Sequence, residues 1–514
     1  MNKKKKKIMI ISLIVIVIIV IAVAVILLTT GDKTDDDRKN NEVTSEVKES
    51  AYKMSGNALE NFDLYFLQLE NEKVNQIYSP LSIKYALAML SEGAAGNSKA
   101  QIDSVIGDYV AKKYTNNAHM SFANAMFIKN TFKEAVNEDY TTNLANKFNA
   151  EIIYDSFATP DNLNNWVSDK TFDLIQDLFD DNVSAQDFVL VNALAIDMEW
   201  KQLIQATSNT PENIYSVDYD HENFNMYISP IDGDMYSSVE FNDNSMNAKA
   251  VEIGAAVNNY DIINALGEEN IRQTVGAEYD KWLAEGGCGM GTDPDTATYL
   301  DTYIEELGSN YKQVDTSTDF LFYDDEEIKA FAKDLKEYDG TTLQYIGIMP
   351  KSVSLDQYIE DLNANKVTTV INNLKDIKAE NFKEGVVTKI TGYIPLFKFD
   401  YELKLMDDLK ELGITDVFDI NQADLSGIVA GSPIAINSAT HKANIEFSNE
   451  GIKAAAATQM GGMGSAGCWF EYNYDVPVET IDLTFDSPYL FLIRDKDSGE
   501  VWFMGTVYNP LPNE

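Results

Sequence analysis

Cysteine and histidine are scarce in this chain of 514 residues, which contains two cysteines and three histidines. Cys288 and Cys468 are too few for the disulfide framework of a small secreted domain, and they are either free thiols or one disulfide bond. A catalytic zinc site needs several ligands at a suitable spacing, and no HExxH motif is present. We therefore expect no metal site.

Positive charge is also rare, because 40 lysines and arginines are outnumbered by 82 acidic residues and the formal net charge is −42. A field of that sign repels nucleic-acid phosphates and anionic lipid headgroups. We therefore exclude nucleic acid as a partner. The hydrophobic fraction of 45% and the aromatic fraction of 11% place the chain among globular proteins.

The motifs of common nucleotide sites and hydrolases are absent as well. The glycine-rich segment 286–295 has no GK[ST] and no strand before it, which argues against a phosphate loop. Its acidic residues do not have EF-hand spacing, so calcium binding is a weak alternative to a solvated insertion. Without a GxSxG nucleophile elbow, a surface enzyme that uses His441 is the weakest functional hypothesis. We expect no cofactor.

One long hydrophobic run is present, at the N-terminus. Lysines at positions 3–7 precede residues 8–28, which form a hydrophobic run uninterrupted by charge. A helix of that length, at about 1.5 Å per residue, can cross a hydrocarbon core of about 30 Å. It is longer than a secretory h-region and no small-x-small cleavage site follows. We predict a signal anchor over residues 1–30 with cytoplasmic lysines, or else a cleaved signal peptide.

A linker and one large domain follow this segment. Residues 31–51 have many charges and no aromatic side chain, which predicts a disordered linker. Within residues 52–514, Ser79-Pro80 predicts the start of a helix, because serine is a good N-cap and proline suits the first turn. Residues 188–196 are apolar on both faces, which predicts a central strand. An acidic helical insertion is expected around residues 265–313.

Helices and strands alternate without a regular βαβ rhythm, which predicts an α+β fold. Strand patterns also cover residues 121–129, 343–350 and 441–447. After the last of these come four alanines and a run of glycine, serine and methionine, which suits neither a strand nor a long helix. From its composition alone, this segment is predicted to be a flexible loop.

Several segments in order resemble the serpin family of serine protease inhibitors: YSPLSIKYALAML with EGAAGNS, LVNALAIDMEWK, LFKFDYELKLMDDLKELGITDVF, ADLSGI, HKANIEFSNEG and LTFDSPYLFLIRD. They are spread over residues 57–510. The resemblance implies a monomer with three β-sheets, about nine helices and an exposed reactive-centre loop. It also implies a helix over residues 163–179 that lies across the central sheet.

The resemblance also implies roles for single residues. The polar shutter beneath the central sheet corresponds to Ser79, Ser82, Asn192 and His441. Trp200 corresponds to the breach, where the loop enters the sheet. His441 and Asn192 lie on apolar strand faces and therefore need hydrogen-bond partners.

The loop of a serpin is a bait that a protease cuts, after which the loop inserts as a new strand. The hinge that must insert corresponds to Glu450, Gly451, Ile452, Ala454, Ala455, Ala456, Ala457 and Thr458. Alternate residues from Ile452 to Thr458 turn inward, and they are uncharged. Ile452 stands where serine or threonine is usual, which can slow insertion without forbidding it.

The family spacing places the cut bond near Ser465-Ala466, with Met463 and Gly464 as competitors. No lysine or arginine lies between Lys453 and Arg494, so a trypsin-like target is not expected. Small residues and methionine suit elastase-like, subtilisin-like or papain-like proteases. The loop is about a dozen residues longer than usual. Its aromatic residues suit either a chymotrypsin-like enzyme or, as we prefer, an edge strand or a flap that covers the sheet: Trp469, Phe470, Tyr472 and Tyr474.

The leading hypothesis is an inhibitor that forms a covalent acyl complex with an extracellular protease. It would be anchored to the cell surface through residues 8–28, or secreted if the N-terminal segment is cleaved. The alternative is a non-inhibitory serpin that serves as a binding module or decoy substrate.

Overall fold

A computed structural model describes residues 50–201, 215–220, 225–230, 237–242, 245–257, 262–288, 293–310, 320–378, 381–383, 386–431, 433–449, 451–452 and 470–512. The predicted anchor and nearly all of the predicted linker lie outside these residues. No helix in the described ranges is long and apolar enough to cross a membrane. The described residues belong to one compact unit.

The helices confirm an α+β fold together with the strands given below. They are α1 (Asn61–Leu69), α2 (Pro80–Gly93), α3 (Gly96–Ile106), α4 (Glu138–Phe148), α5 (Asp161–Lys170), α6 (Ile262–Leu266), α7 (Glu268–Ala284), α8 (Thr296–Asn310), α9 (Leu355–Glu360), α10 (Ala364–Asn372) and α11 (Leu405–Glu411). The described residues thus contain more α-helices than the nine or so expected, because the insertion contributes α6, α7 and α8.

The strands in the described residues include all four that were predicted. They are β1 (Gln76–Tyr78), β2 (Met120–Lys129), β3 (Glu151–Asp155), β4 (Phe188–Ile196), β5 (Met198–Glu199), β6 (Tyr215–Asp220), β7 (Asn225–Pro230), β8 (Ser237–Phe241), β9 (Met246–Val257), β10 (Leu321–Asp324), β11 (Ile328–Asp334), β12 (Leu343–Pro350), β13 (Val387–Pro395), β14 (Phe397–Lys404), β15 (Thr440–Phe447), β16 (Gly451–Ile452), β17 (Val478–Asp482), β18 (Tyr489–Asp495) and β19 (Val501–Val507).

Hydrogen bonding arranges these strands in five groups. A six-stranded sheet has the order β1-β19-β18-β12-β11-β10, and a four-stranded sheet has the order β17-β13-β9-β8. The strands β3-β2-β4 form a third group, β14-β15-β16-β5 form a fourth, and β6-β7 form a hairpin. The third and fourth groups occupy the place of the expected central sheet, which is therefore divided between β4 and β15.

The helix α2 forms the packing layer behind this divided sheet. Ser79 caps it by accepting a hydrogen bond from the Ser82 amide at 3.0 Å, and Pro80 occupies its first turn, as the sequence predicts. A fully buried ion pair joins α2 to α1, with Lys84 Nζ of α2 lying 2.5 Å from Asp63 Oδ1 of α1. A buried pair of this kind ties the two helices together, because separating either charge from its partner is costly.

The helix predicted over residues 163–179 is shorter than expected. It ends at Lys170, and Pro160 at its N-cap makes no side-chain cap. Phe172 and Asp173 then adopt left-handed backbone conformations, with φ of 53° and 60°. Neither residue is glycine, so the sequence carries no glycine stop signal at this helix end.

Candidate functional site

The strand β15 leads into β16 through a turn that Ser448 holds. The amide and the hydroxyl of Ser448 both donate to the carbonyl oxygen of Gly451, at 3.1 and 3.0 Å. Beyond the turn, β16 pairs antiparallel with Phe447 of β15 on one side and with β5 on the other. The first two residues after Glu450 therefore already lie within a sheet. Glu450 itself is outside the described residues.

Gly451 and Ile452 fit this position for different reasons. A Cβ atom at Gly451 would lie 2.3 Å from the carbonyl oxygen of Met198, so the close approach of the two strands requires glycine. Ile452 is 3% exposed and belongs to the main hydrophobic core. The bulky side chain that the sequence presents as a possible obstacle is accommodated between the strands.

Trp200 lies directly beside this entry point and is fully buried. Its Nε1 donates to the carbonyl oxygen of Ser448 at 2.9 Å. Its ring packs edge-on against Phe447, with centroids 5.5 Å apart, and against Tyr345. The indole therefore supports the turn from which β16 enters the sheet.

Below this entry, β4 and β15 are not paired to each other. Within the described residues β4 pairs with β2, and β15 pairs with β14 and, at its end, β16. A groove of about 800 Å³ separates them. Its walls and floor include Phe188, Leu190 and Asn192 of β4, Thr440 and His441 of β15, and Ser82 and Ile83 of α2.

Three of the four predicted shutter residues meet at one side of this groove. His441 Nε2 accepts a hydrogen bond from the backbone amide of Ser79 at 2.9 Å, and the Ser79 hydroxyl caps Ser82. Burial lowers the pKa of His441 from 6.5 to about 4, because the surroundings disfavour the charged imidazolium. The histidine is therefore neutral near pH 7, with an acceptor nitrogen towards α2.

Asn192 lies on the opposite wall and does not join the other three. Its Nδ2 donates to Oδ1 of Asn124 at 2.7 Å, and Asn124 in turn donates to the carbonyl oxygen of Phe148 at 2.9 Å. Sequence reasoning missed Asn124. The available signal is an amide among the apolar residues 122–128, and the register that places it opposite Asn192 appears only in the folded sheet.

The predicted hinge residues beyond β16 and the predicted cut bond lie outside the described residues: Ala454, Ala455, Ala456, Ala457, Thr458, Met463, Gly464, Ser465 and Ala466. The described chain resumes with residues 470–477, which we call the distal flank. They pack against α7 and α8, which we call the helical insert. The preferred prediction is that the aromatic residues cover the sheet. That prediction is wrong for Phe470, Tyr472 and Tyr474, which cover the helical insert. Trp469 is outside the described residues.

Neither a metal site nor a free cysteine occurs in the part of the chain that the structure describes. No group of three or more potential ligand side chains there could hold a metal ion. Cys288, which follows α7, is disulfide-bonded. The chain has one other cysteine, Cys468, which lies outside the described residues.

Comparisons with known proteins agree with this arrangement. The family model described as "Serpin (serine protease inhibitor)" matches residues 59–254 and 310–510, and residues 255–309 between the two segments contain the helical insert except for its last residue. Neuroserpin of Mus musculus is 25% identical over 466 residues, covering 85% of this chain and 87% of the relative. An uncharacterized serpin-like protein of Methanosarcina acetivorans is 24% identical over 488 residues, covering 91% and 88%.

Solved structures show the same fold. Tengpin, a thermophilic serpin in its native state, has a TM-score of 0.55 at 20% identity and covers 90% of this chain and 97% of its own. Human thyroxine-binding globulin complexed with thyroxine has a TM-score of 0.56 at 15% identity and covers 88% and 96%. The family match covers most of the chain and the fold agrees over nearly all of it. The chain therefore belongs to the serpin family, whose members are in general protease inhibitors and not enzymes.

Proposed function

We propose that the protein inhibits an extracellular serine or cysteine protease as a suicide substrate. The protease cuts near Ser465-Ala466, or at the neighbouring Met463 or Gly464, and forms an acyl-enzyme with the upstream part of the loop. That part then enters the groove between β4 and β15 as an additional strand and carries the protease with it. The observation that carries this proposal is the pairing of β16 between β15 and β5 directly above an open groove.

The register of β16 supports insertion of the residues that follow it. Ile452 pairs with Met198 on one side and with Phe447 on the other, and both pairings are antiparallel. When this register is continued by six residues, Thr458 comes to lie opposite Asn192 of β4 and His441 of β15. Because side chains alternate along a strand, Thr458 then faces the same way as Ile452, towards the protein interior.

Unpaired polar atoms at this level of the groove also favour insertion. Among the described residues, the Ser82 hydroxyl and the Asn192 side-chain oxygen are buried without a hydrogen-bond partner. Such a group costs on the order of 1–3 kcal/mol when it has no partner. The hydroxyl of Thr458 can both donate and accept, so insertion to this depth would supply a partner where one is missing.

The composition of the loop supports a target outside the trypsin class. No basic residue lies between Lys453 and Arg494. A protease that requires lysine or arginine in its specificity pocket therefore finds no bond to cut in the bait. Small side chains and methionine between residues 454 and 467 favour elastase-like, subtilisin-like or papain-like enzymes.

Matched variants of the extracytoplasmic domain, beginning at Ala51, test the mechanism. The domain should form a complex that survives denaturing electrophoresis with one or more elastase-, subtilisin- or papain-type enzymes, and none with trypsin. Ala456→Arg places a charge at an inward position and should abolish the complex while cleavage continues. Ala455→Arg places the same charge at an outward position and should retain the complex.

The same experiment can refute the proposal. If every protease cuts the loop without forming a complex, and if cleavage does not raise the melting temperature, the suicide-substrate mechanism is wrong. That result would support the alternative of a binding module or decoy substrate. A complex that survives Ala456→Arg would instead refute insertion along the proposed register.

We also propose that residues 8–28 anchor the protein in a membrane, with lysines 3–7 in the cytoplasm and the serpin domain outside. The support is the length of this segment, which is uncharged and apolar except for Ser12. The full-length protein should remain in membranes after alkaline carbonate extraction and retain its N-terminal residues by mass spectrometry. A soluble mature protein that begins after residue 28 would show a cleaved signal peptide and a secreted inhibitor.

A further inference from the structure

The helical insert contains an aromatic seat for the distal flank of the loop. Phe470 packs edge-on against Tyr279 of α7 and Tyr299 of α8, with ring centroids 5.2 and 5.6 Å away. Trp282 lies 5.5 Å from the same ring. Tyr279 and Tyr299 are stacked on each other at 4.0 Å, so two helices present one continuous aromatic surface.

Hydrogen bonds fix the backbone that follows Phe470. The hydroxyl of Tyr303 on α8 donates to the carbonyl oxygen of Tyr472 at 2.9 Å and accepts from the amide of Tyr474 at 3.2 Å. Asn270 of α7 donates to the Tyr474 hydroxyl at 3.2 Å. The two bonds of Tyr303 hold the main chain of the distal flank itself, so the attachment does not depend on side-chain packing alone.

A small hydrophobic core completes the contact. Val476 of the distal flank is 6% exposed and packs with Ile271, Val275 and Leu307 of the insert and with Val387 of β13. This core is separate from the main core of the domain. The insert thus forms a small core of its own, which it shares with α6, the distal flank and the start of β13.

We propose that the helical insert is a clamp that determines which bonds of the reactive loop a protease can cut. A protease binds its substrate as an extended strand, so residues that are packed and hydrogen-bonded must first detach. The clamp therefore withholds the bonds after Phe470, Tyr472 and Tyr474 and leaves residues 454–469 as the bait. This specificity role deepens the proposed inhibitory function and rests on it.

The clamp accounts for aromatic residues in a loop whose cut bond is expected among small ones. Without the insert, three aromatic side chains would offer cleavage sites to chymotrypsin-like enzymes on the wrong side of the expected bond. Cleavage there would come late in the loop and would not support productive insertion. Packing these side chains against the insert removes that competing reaction. The disulfide-bonded Cys288 follows the end of α7, close to the same aromatic surface in sequence.

Mapping of chymotrypsin cleavage by mass spectrometry, without reductant, tests the clamp directly. In the wild-type domain, cuts after Phe470, Tyr472 and Tyr474 should be rare. The double variant Tyr279→Ala/Tyr299→Ala removes the seat and should increase their rate by at least 30-fold. Tyr303→Phe keeps the ring and removes only the bridging hydroxyl, and it should increase the rate about fivefold. Glu278→Ala, on an exposed face of α7, is the matched control and should change nothing.

Equal rates in the wild type and Tyr303→Phe, together with rapid wild-type cleavage after Tyr472 or Tyr474, would overturn the clamp. The milder variant keeps the test valid if the double variant unfolds the insert. The readout does not depend on complex formation. If the aromatic sites are protected but no covalent complex forms, the clamp stands and inhibition is refuted. If a complex forms but the aromatic sites are cut rapidly, inhibition stands and the clamp is refuted.

Discussion

Acidification should destabilise the native protein through His441. The side chain is half-buried at the groove wall, and its surroundings lower the pKa from 6.5 to about 4. In the unfolded chain the imidazole returns to a pKa of about 6.5. Between these two values the unfolded state binds more protons than the native state, so the free energy of unfolding decreases as the pH falls.

The expected size follows from the two pKa values. Relative to pH 7.5, the contribution of His441 to the free energy of unfolding should fall by roughly 1 kcal/mol at pH 5.5 and by roughly 2–3 kcal/mol at pH 4.5. The contribution is complete only about one pH unit above 6.5, where the residue is neutral in both states. A protonated His441 also loses the acceptor that binds the Ser79 amide, so the contact between α2 and β15 should weaken over the same range.

Urea unfolding of the wild type and His441→Gln between pH 7.5 and 4.5 measures this effect. Glutamine can accept the hydrogen bond of Ser79 but does not titrate, so groups other than His441 contribute equally to both proteins. The difference between the two free energies should therefore change with pH by the amounts given above. If the two curves stay parallel across this range, His441 is not held neutral by the fold and the assigned environment is wrong.

Two further predictions concern the elements around the groove. Gly451→Ala should clash with β5 and destabilise the native state by roughly 1–3 kcal/mol, with faster hydrogen exchange in β16. Gly56→Ala, where a Cβ meets nothing within 4 Å, is the control, and equal exchange in both variants would contradict the close approach. Asp63→Asn leaves the buried Lys84 without its partner and should cost about 3–5 kcal/mol in urea unfolding. Adding Lys84→Met should recover most of this loss, and a single variant within about 1 kcal/mol of wild type would contradict a buried charge pair.

Local patterns in the sequence determined most of the elements that build the groove. The capped start of α2 at Ser79-Pro80 and the strand over residues 188–196 lie where they were predicted. Both features depend only on residues that are neighbours in the sequence: a serine and a proline at a helix start, and a run of apolar side chains in a strand. They can therefore be predicted from one sequence. The prediction that this strand is central is wrong for the described residues, where β4 is the last strand of its group and pairs only with β2. The family resemblance then indicated which of these elements surround the loop.

Tertiary structure alone decided three features of the site. The early end of α5 depends on positive φ at Phe172 and Asp173, which local preference does not predict. The partner of Asn192 was set by strand register, because Asn124 lies 68 residues away in the sequence. The distal flank could be read from its aromatic residues as an edge strand or a flap, but its seat is formed by helices that lie about 170 residues earlier, as the bond from Tyr303 illustrates. Periodicity determines which face of an element is apolar, whereas only the assembled fold determines which distant surface covers that face.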